Sequence, residues 1–276
     1  MQGKLYLVAT PIGNLDDITL RALKVLKEVD VIAAEDTRHT LGLLNHFEIK
    51  KPLISYYKEI EREKSDSIIE LLEEGKNVAV VSDAGTPGIS DPGEEIVKKC
   101  IENGIDIIPI PGACAFVNAL IASGFSTREF IFVGFLSTNR KEKVEKLEEL
   151  KLEKRTIILY EAPHKLKNTL ETIKEVLGNR NIVLARELTK VYEEFIRKTV
   201  DEVLDNIDEY NRGEFVILIE GSSIGKKELE LSNLNNMSIE EHYKYYEDQG
   251  LDKKDIIKQI AKDRNVPKND IYQMFL

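Results

Sequence analysis

The sequence predicts an α/β protein of two domains, followed by a small helical domain at its C-terminal end. Over residues 1–135, short β-branched runs alternate with amphipathic stretches, which is typical of parallel strands joined by helical crossovers. A highly charged stretch over 137–155 then leads into a second set of apolar runs. Beyond residue 221 the pattern changes to a polar stretch and several short helical segments.

The first predicted domain spans residues 1–136. Its strands are expected at "KLYLVA", "DVIAAE", "NVAVVSD", "IDIIPI" and "FIFVGF", and its helices at "TLRALKVLKEV", "SIIELLEEG", "EEIVKKCIENG" and "AFVNALIASG". Gly75 is placed to end a helix, because glycine adopts the left-handed conformation common after the last helical turn. Cys100 falls on a helix position expected to face the core.

The second predicted domain spans 137–221 and is expected to hold a mixed sheet, since "YEEFIRKTV" adjoins "NIVLAREL" as a neighbouring strand. The stretch 221–238 is rich in Ser, Asn, Gly and Lys as a group and has no clear period, so residues 222–237 are predicted to be a linker. Residues 238–276 are predicted to form a helical domain with a helix-turn-helix pattern, in which Pro267 suits the first turn of the last helix.

Composition excludes several classes of protein. The content of 42% hydrophobic and 32% charged residues describes a globular chain, and no apolar run approaches the roughly 20 residues that span a bilayer. No signal-peptide pattern opens the chain, and its two cysteines form no disulfide framework, so we expect a cytoplasmic protein. The net charge of −10 argues against a general nucleic-acid binder, although a local basic surface is compatible with it.

Four loops at predicted strand ends are rich in Gly, Pro, Asp and Thr. They are 9–17 "ATPIGNLDD", 34–40 "AEDTRHT", 82–93 "SDAGTPGISDPG" and 109–115 "PIPGACA". Any one of them could be an ordinary turn. Because ligands of open α/β sheets bind beyond the carboxyl ends of the strands, four such loops together favour a ligand site. Closely approaching backbone suits an adenosine or amino-acid moiety.

The sequence lacks the motifs that bind nucleoside triphosphates, dinucleotides or metal ions. The phosphate-binding pattern GxxxxGK[ST] is absent, and the first loop has one glycine where dinucleotide-binding folds have three. His39 and His46 lack a metal-ligand pattern, so no metal is expected.

The sequence resembles the ribosomal RNA small-subunit methyltransferase I family of the tetrapyrrole methylase superfamily. The resemblance is carried by "LYLVATPIGNLDDIT", "AEDTR", "SDAGTPGISDPG", "PGACAFVNAL", "YEAPHKL", "ARELTK" and "GEFVILIEG". The resemblance covers residues 4–221 and extends to the helical tail. It implies two α/β domains with an S-adenosylmethionine cleft between them, and a homodimer. It also implies methylation of the 2′-hydroxyl of a cytidine in 16S rRNA, at the decoding centre of the small ribosomal subunit.

Carried over motif by motif, the resemblance implies a set of cofactor-binding residues. These are Ile12, Asp83, Thr86, Ile89, Cys114, Ala115, Tyr160 and Glu161.

A poorly acidic ribose hydroxyl gains from a general base, so carboxylates and imidazoles at strand ends are catalytic candidates. The candidates, with one arginine beside them, are Glu35, Asp36, Arg38, Asp83, His164 and Glu187. Each has a structural alternative. Asp36 suits a helix N-cap, Arg38 can pair with Asp36 or hold a phosphate, and His164 follows Pro163 at a helix start. The residues leave open which group is the base.

RNA contacts need only a handful of cations, because phosphate oxygens accept from Lys and Arg. The candidates are Arg38, Arg186, Lys190, Arg197, Lys198, Lys254 and Lys258. The last two lie in the helical tail, where interleaved aspartates weaken the prediction and packing on another domain is the alternative role.

Two other functions compete with rRNA methylation. A small-molecule methylase of the tetrapyrrole type would use the same fold, but it would have no use for the helical tail. A non-enzymatic regulator built around the helix-turn-helix would leave the four ligand-type loops unexplained, and it would not bind S-adenosylmethionine.

Overall fold

The protein is described here from a computed structural model that covers residues 2–210 and 212–275. The chain divides into two compact units. The first contains the residues up to 148 together with 155–220, and the second contains 149–154 together with 221 onward. Each is described by itself.

A parallel five-stranded sheet forms the first half of the first unit, with the strand order β3-β2-β4-β1-β5. Its strands are β1 (Leu5–Val8), β2 (Val31–Ala34), β3 (Leu53–Ser55), β4 (Val78–Val81) and β5 (Ile107–Ile110). The helices of this half are α1 (Leu20–Glu28), α2 (Thr37–His46), α3 (Glu61–Glu73) and α4 (Glu94–Glu102).

The central strand β4 explains why this sheet is covered on both faces. All four of its residues are buried. Val78 and Val80 pack in the cluster that contains α3 and α4, and Cys100 lies in that cluster as predicted. Ala79 and Val81 pack in the cluster that contains α1 and α2. A strand buried on both faces reads as a continuous apolar run, which is the pattern of "VAVV".

A mixed five-stranded sheet with the order β6-β7-β10-β8-β9 forms the other half of the first unit. The strands β6 and β7 are parallel, whereas β10 is antiparallel to both β7 and β8. The strands are β6 (Phe130–Phe135), β7 (Thr156–Glu161), β8 (Asn181–Arg186), β9 (Glu194–Thr199) and β10 (Phe215–Ile219). The helices that accompany it are α5 (Ala115–Ser123), α6 (Arg140–Leu150), α7 (Pro163–Leu177) and α8 (Val200–Leu204).

The boundary between the two sheets differs from the predicted one at residue 136. Strand β6 pairs with β7 of the second sheet, and Ala119 and Leu120 of α5 pack in the same cluster as Ile158 and Val216. The physical reason is that α5 is apolar along most of its length and needs a sheet face to cover it. The chain therefore passes to the second sheet right after β5.

The described residues of the second unit include the helices α9 (Lys226–Asn236), α10 (Ile239–Glu247), α11 (Lys253–Asp263) and α12 (Lys268–Gln273). Helix α9 occupies most of the stretch predicted as a linker. Its start is stabilised by Glu228, which accepts from the Gly225 amide at 2.9 Å and pairs with Lys154 at 2.5 Å. Ile256, Ile257, Ile260, Ala261 and Ile271 form a core of this unit's own. Over the described residues, no helix is both long and apolar enough to cross a bilayer.

Candidate active site

The loops that follow β1 and β4 are joined beyond the carboxyl ends of their strands. The Thr10 amide donates to the Gly85 carbonyl at 2.8 Å, and the Gly85 amide donates to the Thr10 carbonyl at 3.1 Å. Gly85 has a φ of +85°, where side chains are rare, and a Cβ there would lie 3.2 Å from Cγ2 of Ile12. Glycine at this position lets the two loops approach each other.

The glycine-rich loop after β4 is closed on itself. The Gly88 amide donates to the Pro92 carbonyl at 3.1 Å, and the Ile89 amide donates to the Thr86 carbonyl at 3.2 Å. The Thr86 hydroxyl donates to the Ala113 carbonyl at 3.0 Å, which ties this loop to the one after β5. The loop is therefore held in shape by its own backbone.

These loops form one wall of a cavity of about 500 Å³, here called the first cavity. The second sheet provides the opposite wall through the ends of β7, β8 and β10 and the start of α7. Its lining residues are Ile12, Ala84, Gly85, Thr86, Ile89, Ser90, Asp91, Cys114, Ala115, Phe135, Tyr160, Glu161, Ala162, Pro163, His164, Ala185, Leu188, Glu214, Phe215 and Val216.

The charged side chains of the first cavity are nearly all carboxylates. Asp91, Glu161 and Glu214 line it together with the imidazole of His164, and its described lining contains no lysine or arginine. Glu161 accepts from the Thr169 hydroxyl at 2.6 Å and from the Ala162 amide at 2.9 Å. Glu214 accepts from Nζ of Lys190 at 3.1 Å. Asp91 forms no ion pair among those described.

Asp91 is also close to two further carboxylates. Burial, with the negative charges of Glu35 and Asp83 nearby, raises its pKa to about 7, although the Ser82 hydroxyl opposes this change. Glu35 and Asp83 are linked directly, since the Asp83 amide donates to Oε2 of Glu35 at 3.4 Å.

Aromatic and aliphatic groups form the rest of the first cavity. The Tyr160 hydroxyl accepts from the Phe116 amide at 3.1 Å, which fixes the ring against the start of α5. The ring of Phe135 lies edge-on to Tyr160, with 5.5 Å between the centroids. Cys114 precedes α5, and burial raises the pKa of its thiol. Such a cavity accepts a flat, largely apolar group and places carboxylates around a cationic one.

A second cavity of about 520 Å³ adjoins the first and shares Ile12, Ala84 and Glu214 with it. Its lining residues are Thr10, Pro11, Ile12, Gly13, Leu15, Arg38, His39, Gly42, Leu43, Asp83, Ala84, Lys190 and Glu214. Arg38 is exposed, and its guanidinium is oriented by Asp36 through Nε at 3.3 Å and Nη2 at 3.1 Å. The second cavity thus places two cationic groups, Arg38 and Lys190, beside two carboxylates, Asp83 and Glu214.

Seven of the eight predicted cofactor residues line the first cavity. They are Ile12, Thr86, Ile89, Cys114, Ala115, Tyr160 and Glu161. The eighth, Asp83, lines the second cavity, and its Oδ1 accepts from the Asp36 amide at 2.9 Å.

The six catalytic candidates lie in different surroundings. Asp36 is the N-cap of α2, and its bonds with Arg38 lower the pKa of its carboxyl to about 2. Glu187 lines neither cavity. It accepts from Lys190 at 3.1 Å and from the Glu214 amide at 3.0 Å, and these bonds outweigh burial and lower its pKa. Burial raises the pKa of Glu35, which also lies outside both linings. His164 borders the first cavity, and Arg38 and Asp83 border the second.

Most predicted RNA-binding cations are engaged within the protein. Arg186 donates to the Arg212 carbonyl at 2.9 Å, and Lys190 pairs with Glu187 and Glu214 while lining the second cavity. Arg197 donates to the carbonyls of Ala122 and Ser123 at the end of α5. Lys198 borders a separate groove beside Arg197. Lys254 and Lys258 are exposed on α11, in the second unit.

The sequence analysis missed Asp91 and Phe135, which both line the first cavity. Asp91 lies in the quoted loop "SDAGTPGISDPG", but the sequence alone does not show that its carboxylate is influenced by the charges of Glu35 and Asp83. No group of three or more His, Cys, Asp and Glu side chains able to hold a metal ion occurs within residues 2–210 and 212–275.

Comparison with known proteins identifies the family. The profile of the Tetrapyrrole (Corrin/Porphyrin) Methylases matches residues 4–204. A ribosomal RNA small subunit methyltransferase I of Bacillus subtilis (strain 168) is 50% identical over 274 residues, which are 99% of this chain and 94% of that protein. The chain belongs to the ribosomal RNA small subunit methyltransferase I family of the tetrapyrrole methylases.

Relatives differ in how much of the chain they match. A protein of the same name from Thermotoga maritima is 46% identical over 220 residues, which are 79% of this chain but 99% of that protein. The solved uroporphyrin-III-C-methyltransferase of Thermus thermophilus superposes with a TM-score of 0.57 at 23% identity, over 79% of this chain and 94% of its own. This likeness confirms the predicted tetrapyrrole methylase fold, which is of the S-adenosylmethionine-dependent type.

Proposed function

We propose that this protein transfers a methyl group from S-adenosylmethionine to the 2′-hydroxyl of a cytidine in the 16S rRNA of the small ribosomal subunit. The observation that carries the proposal is the full-length match to ribosomal RNA small subunit methyltransferase I proteins. It is supported by the carboxylates in the described lining of the first cavity, which contains no lysine or arginine, and by Arg38 and Lys190 in the lining of the second cavity.

The first cavity fits the methyl donor. S-adenosylmethionine combines a flat adenine ring with a positively charged sulfonium, and this cavity combines Tyr160 and Phe135 with carboxylates and no lysine or arginine in its described lining. Ile12, Thr86, Ile89 and Ala115 would hold the donor, largely through backbone and apolar contacts.

The second cavity contains two cationic side chains that would contact the phosphates of an RNA substrate. Arg38 is held by Asp36 in a fixed orientation, and Lys190 is fixed by Glu187 and Glu214. A guanidinium that is already oriented loses less conformational entropy when it binds a phosphate. Beside Lys190, the residues Val191 and Tyr192 are 93% and 81% exposed, so Tyr192 is available to stack on an unpaired base.

When it is bound, the donor supplies a methyl group already activated by the sulfonium. The protein then has to position the ribose hydroxyl and accept its proton. Among the candidate carboxylates, Asp83 fits the role of proton acceptor best, since it borders the second cavity next to the residues shared with the first. Asp36 and Glu187 are tied to Arg38 and Lys190.

The protein is further proposed to act as a homodimer in the cytoplasm, where ribosomal subunits are found. Support comes from the apolar helix α5, on which Val117 and Ile121 are exposed and could be covered by a second copy of the chain. Light scattering of the purified protein tests this, and a mass of one chain of 31.4 kDa would contradict it.

Methyl transfer is tested with isotopically labelled S-adenosylmethionine and two acceptors, small-subunit particles that lack the modification and protein-free 16S rRNA. Nucleosides from the digested RNA are then analysed by mass spectrometry. We expect labelled 2′-O-methylcytidine. Label on a base, or label transferred only to a tetrapyrrole offered in parallel, would contradict the proposal.

A further inference from the structure

We propose that Asp91 is the residue by which the first cavity distinguishes the positively charged methyl donor from its neutral product. The inference rests on the proposed function and goes beyond it, because it concerns how the donor is preferred and how the product is released.

Asp91 has fewer described polar partners than Glu161 and, like Glu161 but unlike Glu214, it has no described ion pair. Glu161 is bonded to Thr169 and Ala162, and Glu214 is bonded to Lys190. Asp91 interacts with the neutral Ser82 hydroxyl. No lysine or arginine belongs to the described lining of this cavity.

The groups that interact with Asp91 come from three different segments of the first unit. Glu35 follows β2, Ser82 and Asp83 follow β4, and Tyr160 belongs to β7. Cys114 and His164 line the same cavity, and Glu59 acts on Glu35 in turn. Among these neighbours the charged groups that act on Asp91 are carboxylates. Burial of Asp91 and, after it, repulsion by Glu35 and Asp83 raise its pKa and so favour its protonated state.

A cation in the cavity reverses this preference. The sulfonium of the donor stabilises the ionised carboxylate, so donor binding releases the proton that Asp91 otherwise holds. S-adenosylhomocysteine has no sulfonium and provides no such stabilisation. After methyl transfer, Asp91 can take up a proton again and the cavity loses its preference for the bound molecule.

The linkage has a definite sign. In the free protein the pKa of Asp91 is about 7, so the carboxylate is mostly protonated at pH 6 and mostly ionised at pH 8. Affinity for S-adenosylmethionine should therefore rise about tenfold from pH 6 to pH 8. Affinity for S-adenosylhomocysteine should change less than about twofold through this group.

The test is calorimetric titration of both molecules at pH 6 and pH 8 into the wild-type protein, Asp91→Asn and Asp91→Glu. We expect Asp91→Asn to flatten the pH dependence of S-adenosylmethionine binding and to lower its preference over S-adenosylhomocysteine at pH 8 by about fivefold or more. Asp91→Glu should keep both properties. Titration of the ligand itself is common to all variants and cancels in the comparison.

Two control variants test whether a group other than Asp91 causes the pH dependence of S-adenosylmethionine binding. Glu94→Gln removes an exposed carboxylate that pairs with Lys98 and lines neither cavity, so it should behave as wild type. His164→Gln removes the imidazole of the first cavity and should leave the pH dependence in place. If the dependence disappears with His164 rather than with Asp91, the inference is overturned.

The outcomes also separate this inference from the proposed function. A wild-type protein that binds S-adenosylmethionine, with an Asp91→Asn variant that is folded by circular dichroism and keeps the full preference, overturns the inference alone. A wild-type protein that binds neither molecule overturns the proposed function itself.

Discussion

Asp83 lines the second cavity and precedes Ala84, which lines both cavities. Its carboxylate borders the second cavity and accepts from the Asp36 amide at 2.9 Å, and its own amide donates to Glu35. These bonds fix the side chain beside the residues that both cavities share. A fixed carboxylate at this junction can accept a proton without first reorganising the loop.

We expect Asp83→Asn to lower kcat about 10²- to 10⁴-fold, because the amide cannot accept the ribose proton. The asparagine oxygen can still accept from the Asp36 amide, so the loop should keep its shape. Single-turnover rates and calorimetric donor binding measure the two effects separately. A variant that loses donor binding as strongly as it loses rate would show that Asp83 has a binding role instead.

Arg38 provides a second test at this scale. Its exposed guanidinium is oriented by Asp36 at the second cavity, so Arg38→Ala should weaken RNA binding and lower the salt slope of log K by about 0.7 for one lost phosphate contact. Fluorescence anisotropy with a labelled RNA across a salt series gives both values. Arg140→Ala is a matched control, since Arg140 is also exposed and paired with a carboxylate but borders neither cavity. Equal slopes for wild type and Arg38→Ala would remove Arg38 from the RNA surface.

Residues of the candidate site were predictable from the sequence where backbone chemistry determines them. Gly85, Thr86 and Ala115 lie in strand-end loops whose composition is unusual. Long charged side chains were less predictable, because their partners are distant in sequence. Arg197 bonds to carbonyls at the end of α5, which lie more than 70 residues earlier, and so it is engaged in the fold.

Among the elements, the turn between β8 and β9 is held rigidly next to the second cavity. The Thr189 amide donates to Glu193 at 2.6 Å, and the Glu193 amide donates to the Lys190 carbonyl at 3.1 Å. Glu187 and Thr189 adopt left-handed conformations with φ of 51° and 66°. A Cβ on Gly13 would lie 2.6 Å from Cγ of Lys190, so the loop after β1 packs closely against this turn. These bonds are present before any RNA binds, so Tyr192 is already held in an exposed position.

Tyr192→Ala should weaken binding of single-stranded RNA by about 1–3 kcal/mol if its ring stacks on a base. Tyr192→Phe should bind almost as wild type, because stacking does not need the hydroxyl. Tyr57→Ala is a control at an exposed tyrosine that borders neither cavity. Light scattering on the same variants reports the other possible role, and loss of a dimer with unchanged RNA affinity would assign Tyr192 to a contact between two copies.

Elements were predicted correctly where apolar periodicity is strong, and less well at boundaries. The parallel strands of the first sheet follow from runs such as "VAVV", which are buried on both faces. The sequence places β6 in the first domain, whereas the structure pairs it with β7 of the second sheet. This pairing was not predictable, because the charged helix α6 separates the two strands along the chain. Helix α9 was hidden by its Ser and Asn content, and its start depends on Glu228 together with Lys154, which is distant in sequence.

At the scale of the whole molecule, the second unit has its own core, formed by residues of α11 and α12. The described clusters around the two sheets contain no residue beyond 218. The Thermotoga maritima relative leaves about a fifth of this chain unmatched. Donor binding is therefore expected to depend on the first unit alone.

Deletion of 238–276 should leave the affinity for S-adenosylmethionine within about twofold of wild type, since no lining residue of the first cavity is removed. Binding to small-subunit particles should weaken more, because Lys254 and Lys258 are exposed on the deleted helix α11. Calorimetry and particle co-sedimentation measure the two affinities. Equal losses in both would argue against an RNA-docking role for the helical unit.

The central claim is that loops at the carboxyl ends of the first sheet and strand ends of the second sheet together hold a cationic methyl donor. The most direct measurement is a crystal structure of the protein soaked with S-adenosylmethionine. We predict electron density for the donor in the first cavity, in contact with Thr86, Tyr160 and the start of α5, with its sulfonium facing carboxylates. An empty first cavity with the donor bound at another place on the molecule would contradict the account.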